Sequence, residues 1–322
     1  MLSIMYMPSL SQLEYIVAVE KFRHFGKAAE ACHVTQPTLS MQIQKVEEEV
    51  GFPIFDRIKK PIVPTSKGQK FIAQARVLLH EHLKLMDISK SQGEEMSGEI
   101  RLGVIPTIAP YLLPLFIEAF SKEYPKIHLV IDELKTASIV QMLREDSLDA
   151  GILATPLNET GLRERPIYYE PFYLYVAKDH PLNARKRIKE DDLSGDEMWL
   201  LQDGHCLRNQ VARFCSLKST DHTVFPSIQF EGGNLDTLRN IIRKSQGYTL
   251  VPRLFVETLS EAEKRDYIRE FEKPVPTREV SLVYRRDQWK SDLLKALQDT
   301  IAKRLPADLK ISDAKKQTIL AI

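Results

Sequence analysis

The chain has 322 residues, of which 43% are apolar and 28% are charged, and its formal charge is +1. These values are typical of a globular protein with two or three domains, and such a charge neither indicates nor excludes a nucleic-acid partner. Three cysteines are too few for a secreted disulfide scaffold, and neither a signal peptide nor a run of about 18 apolar residues is present. We therefore expect no membrane partner and a cytoplasmic location, where a disulfide would be transient.

The first predicted domain, residues 8–65, is a helix-turn-helix. A capping box at Ser9 starts its first helix, an alanine-rich helix follows to Cys32, and Thr35 caps a third helix that Gly51 ends. The outward side chains of the third helix can bind base edges or phosphates. They are Gln36, Pro37, Thr38, Ser40, Gln42 and Gln44. A plain three-helix bundle with a polar, solvated face is the alternative.

A basic hairpin follows the third helix. The segment from Ile54 to Thr65 predicts a two-stranded wing, and residues 57–70 contain five basic residues and no acids. Arg57, Lys59 and Lys60 are the wing residues expected at a DNA backbone, because a wing of this charge fits against phosphates.

Residues 66–97 are predicted to form a long linker helix and a hinge. Phe71, Leu78 and Leu85 recur every seven residues, a spacing that favours pairing of helices between subunits. We therefore expect a homodimer through this helix. The alternative is an amphipathic helix that packs on its own domain.

From Glu99 onward, strands and helices alternate, which predicts an α/β domain with a mostly parallel, doubly wound sheet over residues 98–305. Two lobes, 98–170 plus 279–305 and 171–278, would be joined by crossing segments near Glu170 and Arg278. Ligands of such sheets bind at the carboxyl ends of the strands. Thr107 and Thr136 follow predicted strands there, although either can be a simple helix cap. Residues 306–322 are expected to be a frayed tail.

Two cysteines flank a predicted short helix, Leu207 to Phe214. Helical geometry would separate the Cα atoms of Cys206 and Cys215 by roughly 13 to 14 Å, whereas a disulfide requires about 4.4 to 6.8 Å. A bond between them would require the helix to melt, which makes the segment a possible switch. The helix N-terminus, His205 and Arg208 would favour a thiolate at Cys206. Alternatively, both cysteines are buried and act as small hydrophobes.

The quoted residues resemble the LysR-type transcriptional regulators. The resemblance covers nearly the whole chain and is clearest in the block Cys32-His33-Val34-Thr35-Gln36-Pro37-Thr38-Leu39-Ser40. It implies a winged helix-turn-helix, a linker helix and a two-lobed, periplasmic-binding-protein-like effector domain. Gly204-His205-Cys206-Leu207-Arg208, followed by Phe214-Cys215, is similar to a peroxide-sensing branch of that family.

The resemblance implies that hydrogen peroxide oxidises Cys206 and that Cys215 resolves the product as a disulfide. The residues that line the peroxide pocket would be Thr107, Thr136, His205, Arg208, Gln210 and Arg278. The protein would bind promoter DNA of antioxidant genes as a dimer or tetramer, act on RNA polymerase, and be reset by glutathione or thioredoxin-type reductants. No cofactor, metal or enzymatic turnover is expected.

Two other functions stay open at this point. A LysR-type regulator could bind a metabolite in its inter-lobe cleft while its cysteines stay inert, or the chain could be a thiol peroxidase. Ser11, Asn209 and the segment 218–230 depart from the family pattern. Ser11 stands where a relative carries a DNA-contacting arginine, and the other two departures would affect switching speed or redox potential.

Overall fold

The structure is a computed structural model that describes residues 7–88, 96–214, 232–286, 288, 290–309 and 317–320. The chain divides into two compact units. One consists of Met1–Glu94 with Glu145–Ser147, and the other of Glu95–Arg144 with Leu148–Ile322. Among the described residues, no helix is long and apolar enough to cross a membrane.

The N-terminal unit begins with three helices, which confirms the predicted helix-turn-helix. They are α1 (Leu10–Phe22), α2 (Phe25–Ala31) and α3 (Gln36–Val50). The Ser9 hydroxyl accepts the Gln12 amide while the Gln12 side chain accepts the Ser9 amide, so the capping box is present. Thr35 caps α3, and Gly51 ends it with a φ of +75°, a conformation that glycine adopts without steric cost.

The wing and a long helix complete this unit. Strands β1 (Phe55–Asp56) and β2 (Val63–Pro64) pair antiparallel, and α4 spans Ser66–Ile88. The core buries apolar residues from all four helices and from the start of the wing. Its largest members are Ile16, Val19, Leu39, Ile43, Val46, Ile54, Phe55 and Ile72. Leu78 and Leu85 of α4 are 50% and 66% exposed, so the predicted helix pairing between subunits would have apolar side chains to bury.

The effector unit opens with strand-helix-strand units, as predicted. These are β3 (Gly98–Val104), α5 (Ala109–Glu123), β4 (Ile127–Glu133), α6 (Thr136–Arg144) and β5 (Ala150–Thr155). The three strands pair in parallel in the order β4-β3-β5. Parallel strands of this kind are covered by helices and carry apolar runs, and all six residues of β5 are buried.

The sheet as a whole is mixed, so the prediction of a mostly parallel sheet is wrong. Strand β6 (Leu162–Val176) runs from the first lobe into the second, and β10 (Val275–Arg285) returns from the second lobe into the first. Because it travels back, β10 lies antiparallel between β5 and β6. The predicted crossing is confirmed, since Arg278 of β10 pairs with Glu170 of β6.

The second lobe is built around the end of β6. Strands β8 (Tyr248–Pro252) and β9 (Ile268–Phe271) pair antiparallel with it, and β7 (Arg187–Ile188) pairs in parallel with β9. The helices are α7 (Cys206–Phe214), α8 (Leu235–Lys244), α9 (Arg253–Glu257) and α10 (Glu261–Tyr267), while α11 (Ser291–Arg304) packs on α5 in the first lobe. The predicted strand at Met198–Leu201 is reduced to two isolated bridges, and the one at 224–230 lies outside the described residues.

The tail after Pro306 is not frayed over its described part, which corrects the prediction. Residues Ala307–Leu309 form a 3-10 turn, and β11 (Gln317–Ile319) pairs in parallel with β10. Leu309 and Leu320 are buried. The prediction relied on the average polarity of the tail and overlooked these two leucines. Their burial favours packing of the tail on the effector unit.

Candidate DNA interface and candidate redox site

The predicted DNA-contacting residues of α3 lie largely on its free surface. Gln36, Pro37, Thr38 and Gln44 are exposed, and Ser40 is half-buried. The hydroxyls of Thr35 and Thr38 lie 2.8 Å apart, and Gln44 donates to Glu48 on the same helix. Gln42 differs from the prediction, because its side-chain oxygen accepts a hydrogen bond from Gln12 of α1 at 2.8 Å and so links two helices. Ser11 is exposed on α1.

Glu47, near the C-terminal end of α3, holds the wing in position. One carboxylate oxygen of Glu47 accepts the backbone amides of Ile54 and Phe55, at 2.8 and 3.1 Å, and the other accepts Arg57 Nη2 at 2.8 Å. Arg57 also donates to Ser40 and lies 5.2 Å from the ring centroid of Phe25. Part of the predicted basic charge therefore serves to fix the wing against α3. Only the charge of Glu47 could have indicated this role from the sequence.

The other two basic residues of the wing are exposed and could contact DNA. Lys59 approaches Asp56 at 3.7 Å and remains largely exposed. Lys60 makes no ion pair with any residue that the structure describes, and its side chain is exposed. A cation of this kind at the tip of a wing can neutralise a phosphate.

Cys206 is the first residue of α7, and its side chain is only 5% exposed. The sulfur lies 2.6 Å from Thr136 Oγ1, and Thr136 is the first residue of α6. Gly204, two residues before Cys206, has a φ of +87°, which allows the chain to turn into α7. Lys135 donates to the carbonyl of Asp203 at 3.1 Å, so the loop before α7 is tied to the loop before α6. The two helix starts therefore bring Thr136 and Cys206 together.

Burial raises the pKa of the Cys206 thiol above its ordinary value, while the Thr136 hydroxyl and the charge of Arg278 act to lower that pKa. His205 is buried, and burial followed by the charge of Lys135 lowers its imidazole pKa below 6.5. Both effects disfavour the positive charge that the sequence predicted for His205. The guanidinium of Arg208 donates to the carbonyl of Leu201 at 2.8 Å and pairs with Asp203 at 2.6 Å. Arg278 is the cation that favours the thiolate.

Arg278 lies at the crossing of β6 and β10, and it is 1% exposed. Its Nε and Nη2 atoms bind Glu170 Oε2 at 2.8 and 2.7 Å, and the Glu170 side chain is 0% exposed. It also donates to Thr107, at 3.2 Å to Oγ1 and 3.1 Å to the carbonyl oxygen. The second oxygen of Glu170 accepts the amide of Leu254, the second residue of α9. Thr107 is thus bound to Arg278, and α5 has Ile108 as its N-cap.

Gln210 follows Cys206 by one helical turn, so the two side chains share a face of α7. Gln210 is fully buried, and its Nε2 donates to the carbonyl of Leu320 at 3.0 Å. Its Oε1, and Nε2 of His205, have no hydrogen-bond partner among the described residues. Buried polar atoms without partners are costly, which makes them suited to receive a small polar molecule. Asn209 is exposed on α7.

The structure links three of the predicted pocket residues to the environment of Cys206 and buries two more in the same stretch of chain. Thr136 and Arg278 act on the sulfur, Thr107 binds Arg278, and His205 and Gln210 contribute unpartnered polar atoms from the same stretch of chain. Glu170 was expected only as a crossing point, and its role as the partner of Arg278 was missed. Helix α7 confirms the predicted helix between the cysteines. Cys215 lies outside the described residues, so the separation of the two sulfurs stays a prediction.

Known proteins resemble this chain over nearly all of its length. The Hydrogen peroxide-inducible genes activator of Pectobacterium carotovorum is 37% identical over 297 residues, which are 92% of this chain and 97% of that protein. The DNA-binding transcriptional dual regulator OxyR of Escherichia coli is 38% identical over 279 residues, or 86% of this chain and 89% of that protein. Full-length OxyR of Pseudomonas aeruginosa, with one cysteine replaced by aspartate, superposes with a TM-score of 0.78 at 32% identity and covers 93% of this chain and 99% of that chain.

Family models match both parts of the chain. The model of the bacterial regulatory helix-turn-helix protein, lysR family, matches residues 10–69, which include α1 to α3 and the wing. The LysR substrate binding domain matches residues 93–306, which include both lobes and the Cys206 site. Because a winged DNA-reading head and a two-lobed effector domain occur together here and each matches the same family, the chain belongs to the LysR family of DNA-binding transcriptional regulators.

Proposed function

We propose that this regulator senses hydrogen peroxide through Cys206, and that its oxidised form carries a reversible disulfide between Cys206 and Cys215. The observation that carries the proposal is the environment of the Cys206 sulfur. It is buried at the start of α7, lies 2.6 Å from the Thr136 hydroxyl and experiences the charge of Arg278. The relatives named Hydrogen peroxide-inducible genes activator support hydrogen peroxide as the signal.

In the first step, the Cys206 thiolate attacks one oxygen of hydrogen peroxide. A sulfur–oxygen bond forms as the oxygen–oxygen bond breaks, and the departing hydroxide takes up a proton and leaves as water. Cys206 is oxidised to a sulfenic acid and the peroxide is reduced. Thr136 can donate its hydroxyl hydrogen to the thiolate, and Arg278 stabilises its negative charge.

The peroxide itself would be held by polar atoms that the fold leaves available. The oxygen of Thr107 already accepts a hydrogen bond from Arg278, so its hydroxyl hydrogen can be donated to a ligand. Gln210 Oε1 can accept a peroxide hydrogen, and His205 Nε2 can exchange a hydrogen bond with it. Arg208 is occupied by Leu201 and Asp203, so we assign it a positioning role in the loop before α7.

In the second step, the Cys215 thiol attacks the sulfenic sulfur of Cys206, a disulfide forms, and the sulfenic oxygen leaves as water. Helix α7 holds the Cα atoms of its first and last residues about 12 Å apart, whereas a disulfide needs about 4.4 to 6.8 Å. We therefore expect α7 to unwind when Cys206 joins the cysteine that follows Phe214 in sequence. Oxidation is thereby coupled to a change of shape.

The change of shape would be transmitted to the DNA-binding heads. We propose that subunits pair through α4 and that dimers associate into a tetramer on promoter DNA, so that rearranged effector domains alter the spacing of the heads and the action on RNA polymerase. Thiol reductants of the glutathione or thioredoxin type would reverse the disulfide, which requires a reducing cytoplasm. Regulation needs one oxidation per response, so peroxide turnover is not part of this function.

The test is mass spectrometry of the protein after a brief exposure to peroxide, with Cys206→Ser, Cys215→Ser and Cys32→Ser variants. The half-buried Cys32 is the matched control, because it is remote in sequence from α7. We expect a Cys206–Cys215 crosslink in the parent and in Cys32→Ser, a trapped sulfenic acid in Cys215→Ser, and no oxidation at this site in Cys206→Ser. A DNA footprint that ignores peroxide but shifts with a metabolite would contradict the proposal. Catalytic peroxide consumption with a reductant would instead indicate a thiol peroxidase.

A further inference from the structure

The described end of the chain forms a short strand beside the redox site. The backbone of β11 pairs with the start of β10, where Val275 aligns with Gln317 and Thr277 with Ile319. The amide of Leu320 then donates to the carbonyl of Thr277 at 2.8 Å. Thr277 is fully buried and immediately precedes Arg278. The strand is therefore attached to the same part of β10 that carries the cation of the site.

The same short segment also holds helix α7. Gln210 Nε2 donates to the carbonyl oxygen of Leu320 at 3.0 Å, and both residues are buried. Leu320 thus uses its amide to bind β10 and its carbonyl to bind α7. This bond fixes the orientation of the Gln210 side chain, whose Oε1 has no hydrogen-bond partner among the described residues. The interaction exists only while Gln210 occupies its position on a helical α7.

We propose that residues Gln317–Leu320 form a strap that holds α7 in its reduced, helical conformation, and that release of this strap is part of the response to peroxide. The inference rests on the proposed function, because it concerns the step in which α7 unwinds. When α7 unwinds, the Gln210 amide leaves its position and the Leu320 carbonyl loses its buried donor. The strap consequently binds the reduced conformation better than the oxidised one, and whatever binds one state preferentially shifts the equilibrium toward it.

Reciprocity gives the strap a second effect. If an attached strap favours helical α7, then unwinding of α7 must weaken the attachment of the strap by the same factor. Oxidation of Cys206 would therefore loosen β11 from the edge of β10. Loosening of β11 would expose the edge of β10 in the oxidised form only. The reduced and oxidised forms of the regulator would therefore differ at this edge as well as in the segment between the two cysteines.

The test compares Leu320→Pro, a chain ended after Lys316, and Leu309→Ala. Proline at this position removes the amide that binds Thr277 while the chain stays complete, so the test does not depend on folding of the truncated chain. Leu309 is an equally buried leucine of the same tail that packs against β6, and its replacement controls for general loss of stability. Each is measured in the full-length regulator for the rate of disulfide formation after a peroxide pulse, and for the disulfide fraction at equilibrium in glutathione buffers.

We expect Leu320→Pro and the shortened chain to form the disulfide about threefold to tenfold faster than the parent. The equilibrium between dithiol and disulfide should shift toward the disulfide by a similar factor, because this is the effect of losing one hydrogen bond. Leu309→Ala should lower the thermal stability and leave the redox equilibrium unchanged. Equal redox equilibria in the parent, Leu320→Pro and the shortened chain would overturn the strap. Sulfenic acid formation, trapped in a Cys215→Ser background, is measured in parallel. Its absence in Cys215→Ser with an intact strap would overturn the proposed function itself, whereas normal sulfenic acid formation there with unchanged disulfide equilibria would overturn only the strap.

Discussion

The ion pair between Arg278 and Glu170 offers the most decisive perturbation of the effector unit. Glu170→Gln keeps the shape of the side chain but removes the negative charge that compensates Arg278. Both side chains are buried almost completely, so solvent cannot screen the charge left behind. Breaking a buried pair in this way costs about 3 to 5 kcal/mol. We expect a value near the lower end, because Thr107 still accepts two hydrogen bonds from Arg278.

The loss is measured by urea unfolding of the full chain. With a slope of about 2 kcal/mol per molar, a destabilisation of about 3 kcal/mol moves the urea midpoint down by about 1.5 M. Adding Arg278→Met to Glu170→Gln should recover part of the loss, since the buried charge is then gone as well. A shift equivalent to less than about 1 kcal/mol in the single variant would refute the view that Glu170 compensates the buried charge of Arg278.

The same two positions should have opposite effects on the chemistry of Cys206. Removing the Glu170 carboxylate strengthens the positive potential of Arg278 at the sulfur, which lowers the thiol pKa and speeds oxidation at pH 7. Arg278→Met removes the cation that lowers this pKa and should slow oxidation. Stopped-flow measurement of peroxide consumption by each variant shows whether the oxidation rate of Cys206 rises or falls. Changes of the same sign in both variants would contradict the electrostatic explanation, because a general loss of structure affects both alike.

Three further predictions concern single groups. Thr136→Val should slow oxidation of Cys206 by about tenfold or more, as expected for a lost hydrogen bond to a charged group, while Thr136→Ser should react normally; equal rates for both would contradict the role of the hydroxyl. Because burial raises the Cys206 thiol pKa, the oxidation rate should climb by about tenfold per pH unit between about pH 6.5 and 8.5 as the thiolate fraction grows, and a plateau within that window would show a depressed pKa instead. Lys60→Gln should reduce the slope of log affinity for promoter DNA against log salt by about 0.9, if this lysine neutralises one phosphate; an unchanged slope in a salt titration would exclude it.

The sequence was most informative where local chemistry decides the structure. The capping box at Ser9, the cap at Thr35 and the stop at Gly51 are contacts within a few residues, and all three are present. Helix α7 follows from its apolar spacing in the same way. The crossing near Glu170 and Arg278 could be predicted because two lobes of one sheet need connecting strands, although their hydrogen bonds to each other could not.

Features that depend on distant residues could not be predicted in this way. The direction of β10 is set by its return from the second lobe, and an alternating pattern carries no information about strand direction. The effect of a charged side chain on Cys206 depends on which other groups that side chain binds. Arg208 is close to Cys206 in sequence, but it is paired with Asp203. Arg278 is far away in sequence and acts on the sulfur. Proximity along the chain was therefore a poor guide to the electrostatics of the site.

A thiol whose pKa is raised by burial suits a sensor that must ignore most oxidants and alkylating agents. We expect the raised pKa to keep the thiolate fraction small at pH 7, so that Cys206 would react slowly with reagents that the pocket cannot orient. Under the proposed function, reaction depends on the Thr136 hydroxyl beside the sulfur and on the unpartnered atoms of His205 and Gln210, which would bind a small polar ligand such as peroxide. The residues around the site could also transmit a change at Cys206 to other parts of the effector unit. Thr277 and Arg278 are consecutive residues of β10, where one anchors the strap through its backbone and the other holds the crossing between the lobes. In the proposed mechanism, a disulfide formed at Cys206 would therefore act on a strand that runs through both lobes.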